Sequence, residues 1–66
     1  MNAKINGEGK DLDEGTTVGA LLRALGVPPA GIAVAVNEHI VRAVSFDDHC
    51  LRDGDSIEII RAVAGG

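Results

Sequence analysis

The sequence predicts an α+β fold, with one main helix laid across one face of a mixed sheet of four to five strands. Three observations carry that expectation. Val18, Leu21, Leu22 and Leu25 fall at i, i+3, i+4 and i+7, which places them on one stripe of a helix. The segments before and after that stripe alternate apolar and polar residues, the period of a half-buried strand. Turn-forming residues cluster at Asn6-Gly7-Glu8-Gly9, Asn37-Glu38-His39 and Arg52-Asp53-Gly54-Asp55, so the strands are short and fold back on one another.

Met1, Ala3 and Ile5 alternate with Asn2, Lys4 and Asn6 and form the first strand. After the turn, a return strand over Lys10–Asp13 points Leu12 inward between two acids; so polar a strand belongs at a sheet edge, where charge discourages edge-to-edge pairing. The helix starts at an N-cap supplied by Thr16 or Thr17. It ends at Gly26 in the left-handed conformation, with Val27 folded back on Leu22, and Pro28-Pro29 prevent it from resuming. Ile32–Val36 is a buried strand with its larger side chains on one face and alanines on the other. Asn37-Glu38-His39 turns the chain into Ile40-Val41, a second hairpin. Arg42–Leu51 is irregular, with a short helical turn near Phe46-Asp47-Asp48. The last strand, Ser56–Val63, turns Ile57 and Ile59 toward the helix and Glu58, Ile60 and Ala62 toward the open face. Its apolar content places it at the sheet centre, beside the first strand and parallel to it. Hairpin, helix, hairpin and a central last strand make up the β-grasp, or ubiquitin-like, architecture.

Sixty-six residues allow one domain, 1–66, with 62–66 as a flexible C-terminal tail. The apolar fraction of 45% suits a folded core, and because Phe46 is the single aromatic residue that core is aliphatic. A chain this short buries only about 60% of its unfolded surface, which leaves little room for an enclosed catalytic pocket and argues against an enzyme. The net charge is −4, and Lys4, Lys10, Arg23, Arg42, Arg52 and Arg61 are scattered, so nucleic acid is not an expected partner. The longest apolar run, Ile32–Val36, is far too short for a membrane span, and no apolar leader opens the chain. A lone cysteine cannot make an internal disulfide, and the cytoplasm is the expected compartment.

Conventional sites do not emerge. His39 and His49 lie in or beside turns without the spacing of a zinc site, so no metal is expected. Cys50 reads as a small buried anchor beside Leu51, with no base placed to activate it. Asp13-Glu14, Asp47-Asp48 and Asp53/Asp55 all fall at turns, where Asp bonds its own backbone. The end of the chain differs. Ala64-Gly65-Gly66 tapers to a bare backbone ribbon able to thread a channel that rejects any Cβ. The α-carboxyl of Gly66 is ionised at neutral pH and unhindered, so it is able to attack the α-phosphate of ATP held by another enzyme. A frayed terminus is the alternative reading of the same ribbon. On the open face Ile60, with Glu58 beside it, is a candidate partner contact; a scattered exposed isoleucine is the ordinary alternative.

Taken in order, Asn6-Gly7-Glu8, Thr17-Val18, Leu21-Leu22, Ile32–Asn37, Ile40-Val41, Leu51, Asp53-Gly54-Asp55 and Ala64-Gly65-Gly66 resemble the ThiS family of sulfur carriers over the whole chain. That family shows a Pro-Arg pair after Ile-Val and then an aromatic, often Trp; here Arg42, Ala43 and Phe46 stand there, and Arg42 is left to make the partner contact. The resemblance implies that an adenylyltransferase of the ubiquitin-activating type uses ATP and magnesium to activate Gly66. A cysteine desulfurase relay then supplies sulfur for a C-terminal thiocarboxylate, and thiazole synthase takes that sulfur for thiamine thiazole. The chain itself binds no cofactor and is a substrate in this scheme. Two alternatives share the fold: the small subunit of molybdopterin synthase, and a ubiquitin-like binding module whose terminus does no chemistry.

Overall fold

The computed structural model describes residues 1–61. It contains β1 (Asn2–Ile5), β2 (Glu8–Asp11), α1 (Val18–Leu25), β3 (Ile32–Val36), β4 (His39–Val41), a 3₁₀ turn (Ala43–Ser45) and β5 (Ser56–Arg61). The five strands form one sheet in the order β2-β1-β5-β3-β4. As expected, β5 lies at the centre, parallel to β1 and antiparallel to β3. This is the α+β architecture of the β-grasp. The tail expected at 62–66, with the last two residues of the expected final strand, lies outside the described residues.

Local chemistry sets the boundaries. Asn6 (φ 51°) and Gly7 (φ 87°) alone make the first turn, so Ile5 pairs with Glu8 and the return strand starts two residues earlier than the sequence suggested. Leu12 consequently falls just beyond β2, half-buried against the core instead of within the strand. The α1 N-cap is Thr17, whose Oγ1 accepts the Ala20 N–H at 3.1 Å. Gly26 (φ 71°) closes the helix, and the Val27 N–H reaches the Leu22 carbonyl at 2.9 Å, the expected fold-back.

The core fills the space between α1 and one face of the sheet. Val18, Leu21 and Leu22 from the helix meet Ala3, Ile5, Val34, Val36, Val41 and Ile57 from the strands, with Phe46 and Leu51 closing the side. The connection after β4 has the expected helical turn near Phe46-Asp47-Asp48, where the Asp48 and His49 N–H groups reach the Ser45 carbonyl at 3.0 and 2.9 Å. A 3₁₀ turn precedes it at Ala43–Ser45, with Ser45 and Phe46 donating their N–H groups to the Arg42 and Ala43 carbonyls. The departure from expectation is at Cys50. Cys50 is exposed, and the buried anchor is Leu51. The cause is pairing: Cys50 bridges Thr17 and the Leu51 N–H bonds the Thr16 carbonyl, and the alternation of an extended segment then sends Leu51 in and Cys50 out.

Candidate functional site

The covered face of the sheet is spent on the core, so the uncovered face is where a partner can reach the strands. Pairing defines that face residue by residue. Val34 opposes Ile59 and Val41 on the helix side, so Ala33 and Ala35 point away from it, as do their neighbours in register. Ala35 lies between Ile40 of β4 and Glu58 of β5. One step along, Ala33 lies beside Ile60, and continuing the β3–β4 register by one residue places the extended Arg42 on its other side. Two rows of three result: Ile40–Ala35–Glu58 and Arg42–Ala33–Ile60.

The small alanines let the outer positions stand proud. Ile40 is 67% exposed and Ile60 50%, although both belong to strands, and Glu58 and Arg42 are exposed as well. The three residues singled out from the sequence for partner contact, Ile60, Glu58 and Arg42, are therefore brought onto one face. Sequence reasoning missed Ile40, whose alternation with buried Val41 was a usable signal once the β3–β4 register was known. Neither Arg42 nor Glu58 takes part in a salt bridge among the described residues.

The same face leads to the end of the chain. β1 stops at Ile5, and the Asn6 side chain extends its ladder by one bond, accepting the Ile59 N–H on Oδ1 at 2.8 Å. Ile60 and Arg61 then continue with β3 alone as their sheet neighbour. Gly66, Gly65 and Ala64, the proposed reactive end, lie outside the described residues.

Elsewhere the chemistry is sparse. A cleft of about 600 Å³ is lined by Val36, Asn37, His39, Asp48, His49, Cys50, Arg52 and Asp55. Among the described residues no three of His, Cys, Asp or Glu are grouped to hold a metal ion. The α1 N-terminus offers no anion site either, because the Val18 and Gly19 N–H groups are taken by the His49 and Phe46 carbonyls at 3.0 and 2.9 Å. Among the described residues no helix is long and apolar enough to cross a membrane.

Comparison with known proteins decides the family. The model of the ThiS family matches residues 3–66, the double-glycine end included. The chain belongs to the ThiS family. It is 39% identical to the sulfur carrier protein ThiS of Thermus thermophilus over 62 residues, 94% of this chain and 95% of that one. The crystal structure of the thiamine biosynthesis protein ThiS from Geobacter metallireducens superposes with a TM-score of 0.85 at 33% identity, over the full length of both chains. A thiazole synthase of Paramagnetospirillum magneticum is 39% identical over 66 residues, covering all of this chain but 20% of that protein, so a ThiS-like segment occurs there within a larger polypeptide.

Proposed function

We propose that this ThiS-family chain is a sulfur carrier of thiamine thiazole biosynthesis, a protein substrate acted on by enzymes in the cytoplasm. An adenylyltransferase of the ubiquitin-activating type, holding ATP and magnesium, joins the Gly66 carboxylate to AMP and releases pyrophosphate. The terminal sulfur of a persulfide delivered by a cysteine desulfurase relay displaces AMP to give an acyl disulfide. A thiol then cleaves its S–S bond, which leaves a thiocarboxylate on Gly66 and a disulfide on the relay. Thiazole synthase consumes that sulfur. The open face with Ile40, Ile60, Glu58 and Arg42 is the docking surface, and Ala64 and Gly65 thread the partner's channel.

The observation that carries this reading is the family match over residues 3–66, which takes in Gly66. The carboxylate of a double glycine is the least hindered a chain can present, and reaction there needs no group from the domain itself. The occurrence of a ThiS-like segment within a thiazole synthase supports that enzyme as the partner.

Intact-mass measurement after incubation with the adenylyltransferase, ATP, magnesium and a sulfur source tests the proposal. A single oxygen-to-sulfur exchange at the C-terminus is expected, and an unchanged mass overturns it. Removing Gly66, or adding one residue beyond it, is expected to abolish ATP–pyrophosphate exchange while leaving the circular dichroism spectrum unchanged. Gly65→Val is expected to be nearly as damaging, because a β-branched residue widens the ribbon and stiffens it.

A further inference from the structure

The apolar positions of the two rows on the open face are related by a local two-fold symmetry, although the sheet beyond them, with β1 and β2 on the β5 side only, is not. With β4, β3 and β5 as columns, the outer columns lie roughly 9.6 Å apart and the rows roughly 6.7 Å apart. A half-turn about the sheet normal, through the point between Ala33 and Ala35, exchanges those two alanines. It also exchanges Ile40 with Ile60, so the apolar part of the face maps onto itself. The charged corners do not: the half-turn places Arg42 where Glu58 stood and Glu58 where Arg42 stood. The apolar pattern is symmetric and the charge pattern is antisymmetric.

The consequence concerns the end of the chain. A partner surface that touches only these two rows, shaped for two isoleucines over an alanine floor, accepts their apolar pattern in either of two orientations. In one of them β5 delivers the chain end beyond Arg61 toward the partner's reactive centre. In the other, Ile60 takes the place of Ile40, the start of the tail is displaced by roughly 12 Å, and β5 runs the opposite way. Residues 62–66 reach about 17 Å when fully extended. In the reversed orientation that reach starts about 12 Å away and is directed to the opposite side, which carries the carboxylate away from the reactive centre.

We propose that Arg42 and Glu58 are positioning residues that select the productive one of these two orientations on thiazole synthase. This rests on the reading of the chain as the sulfur carrier that docks there. The complementary surface carries an apolar spot with an acid facing Arg42 and a base facing Glu58, at opposite corners. In the reversed orientation both corners meet like charge, and that repulsion excludes it.

Four chains test the rule against the cognate thiazole synthase: wild type, Arg42→Glu, Glu58→Arg and the double exchange Arg42→Glu/Glu58→Arg. Both positions are exposed, so all four chains are expected to fold, which thermal melts check. Each single reversal leaves one good and one bad corner in either orientation, and binding is expected to weaken roughly tenfold by calorimetry. The double exchange restores both corners in the reversed orientation, so its affinity returns to within about threefold of wild type. A photoreactive phenylalanine analogue in place of Arg61 reports the orientation directly. Its crosslinks to thiazole synthase are expected to move to a different site in the double exchange. A double exchange weaker than either single variant overturns the proposal, and so does a crosslink that stays at the wild-type site. Wild type failing to bind thiazole synthase overturns the docking reading along with it, whereas wild-type binding with either of the former results overturns the orientation rule alone.

Discussion

The two faces of the sheet are built by the same strands and behave as different materials. On the helix side Val34, Val36, Val41 and Ile57 are nearly inaccessible, and they close against Val18, Leu21 and Leu22. On the other side Ala33, Ala35, Ile40 and Ile60 come from the same three strands at alternate positions, and the two isoleucines stand in solvent. Strand alternation thus lets a 66-residue chain hold its fold with one set of residues and leave another set open to solvent. A substitution on the covered face is expected to act on stability, and one on the open face on binding. Predictions that break this division test the assignment of faces.

The largest effect is expected from Leu22→Ala. Leu22 is 1% exposed, lies mid-stripe on α1, and its carbonyl also accepts the Val27 N–H that closes the helix. Truncating a buried leucine costs about 2–5 kcal/mol, a large share of what so small a domain possesses. Chemical denaturation is expected to show that loss, and a melting temperature equal to wild type shows that the helix stripe is not the core.

Ile60→Glu is the counterpart on the open face. The change removes an exposed apolar side chain and makes no cavity, so stability is expected to stay within about 0.5 kcal/mol of wild type. Binding to the adenylyltransferase and to thiazole synthase is expected to weaken at least tenfold, about 1.4 kcal/mol, by calorimetry. Unfolding of this variant moves Ile60 into the core and shifts the β5 register by one. Unchanged binding to both enzymes removes the open face from the docking surface.

These expectations also show what the sequence revealed and what it concealed. The helix was legible to its caps because its signals are local: a threonine whose hydroxyl reaches three residues ahead, and a glycine free to turn left-handed. The central parallel β5 was legible because its apolar content does not suit an edge. The path from Arg42 to Leu51 was less so. Its shape depends on bonds to residues far away in the chain, such as Gly19 N–H to Phe46 and Leu51 N–H to Thr16, and no local pattern announces them. That is why Cys50 read as an anchor and is exposed. The network joining Asn37 to Asp55 and Ser56, with Asn37 Nδ2 donating to Asp55 Oδ1 at 2.9 Å and the Ser56 N–H to Asn37 Oδ1 at 3.0 Å, is hidden for the same reason. The make-up of the open face was half legible: the exposure of Ile60 and Glu58 followed from alternation, whereas the placing of Arg42 and Ile40 beside them required the register.

A smaller effect probes how closely the covered side is shut. Gly19 is buried in the first turn of α1, and a Cβ there meets the Asp47 carboxylate, which accepts from Arg23 Nη1 at 3.2 Å. Gly19→Ala gains roughly 0.5–1 kcal/mol in helix propensity. It also displaces an exposed carboxylate and breaks an ion pair worth about 0–1 kcal/mol. The single variant is expected to be near neutral. In an Asp47→Ala background the clash is absent, and Gly19→Ala is expected to stabilise by roughly 0.5–1 kcal/mol in urea unfolding. Equal effects in the two backgrounds mean that Asp47 does not press on the helix.

The smallest effect lies at the sheet edge, where neither face is involved. The Met1 ammonium donates to the Leu12 carbonyl at 2.8 Å and pairs with Asp11 at 3.5 Å and Glu14 at 3.4 Å, tying the start of β1 to the end of β2. Burial pushes its pKa down, but the Glu14 hydrogen bond and the charges of Asp11 and Glu14 outweigh burial and hold it above its ordinary 8.0. A group with a raised folded-state pKa contributes stability that is fully present below the unfolded value and is lost as pH rises through the folded one. The window therefore opens near pH 8 and extends upward. Both carboxylates are highly exposed, so the effect is small and weakens with salt. In a chain that begins at Met1, the melting temperature of wild type is expected to exceed that of Asp11→Asn/Glu14→Gln below pH 8, and the gap to narrow as pH rises beyond it. A gap constant from pH 6 to pH 10 shows that the ammonium is not what the two acids stabilise, and leaves their role to the β2 edge itself.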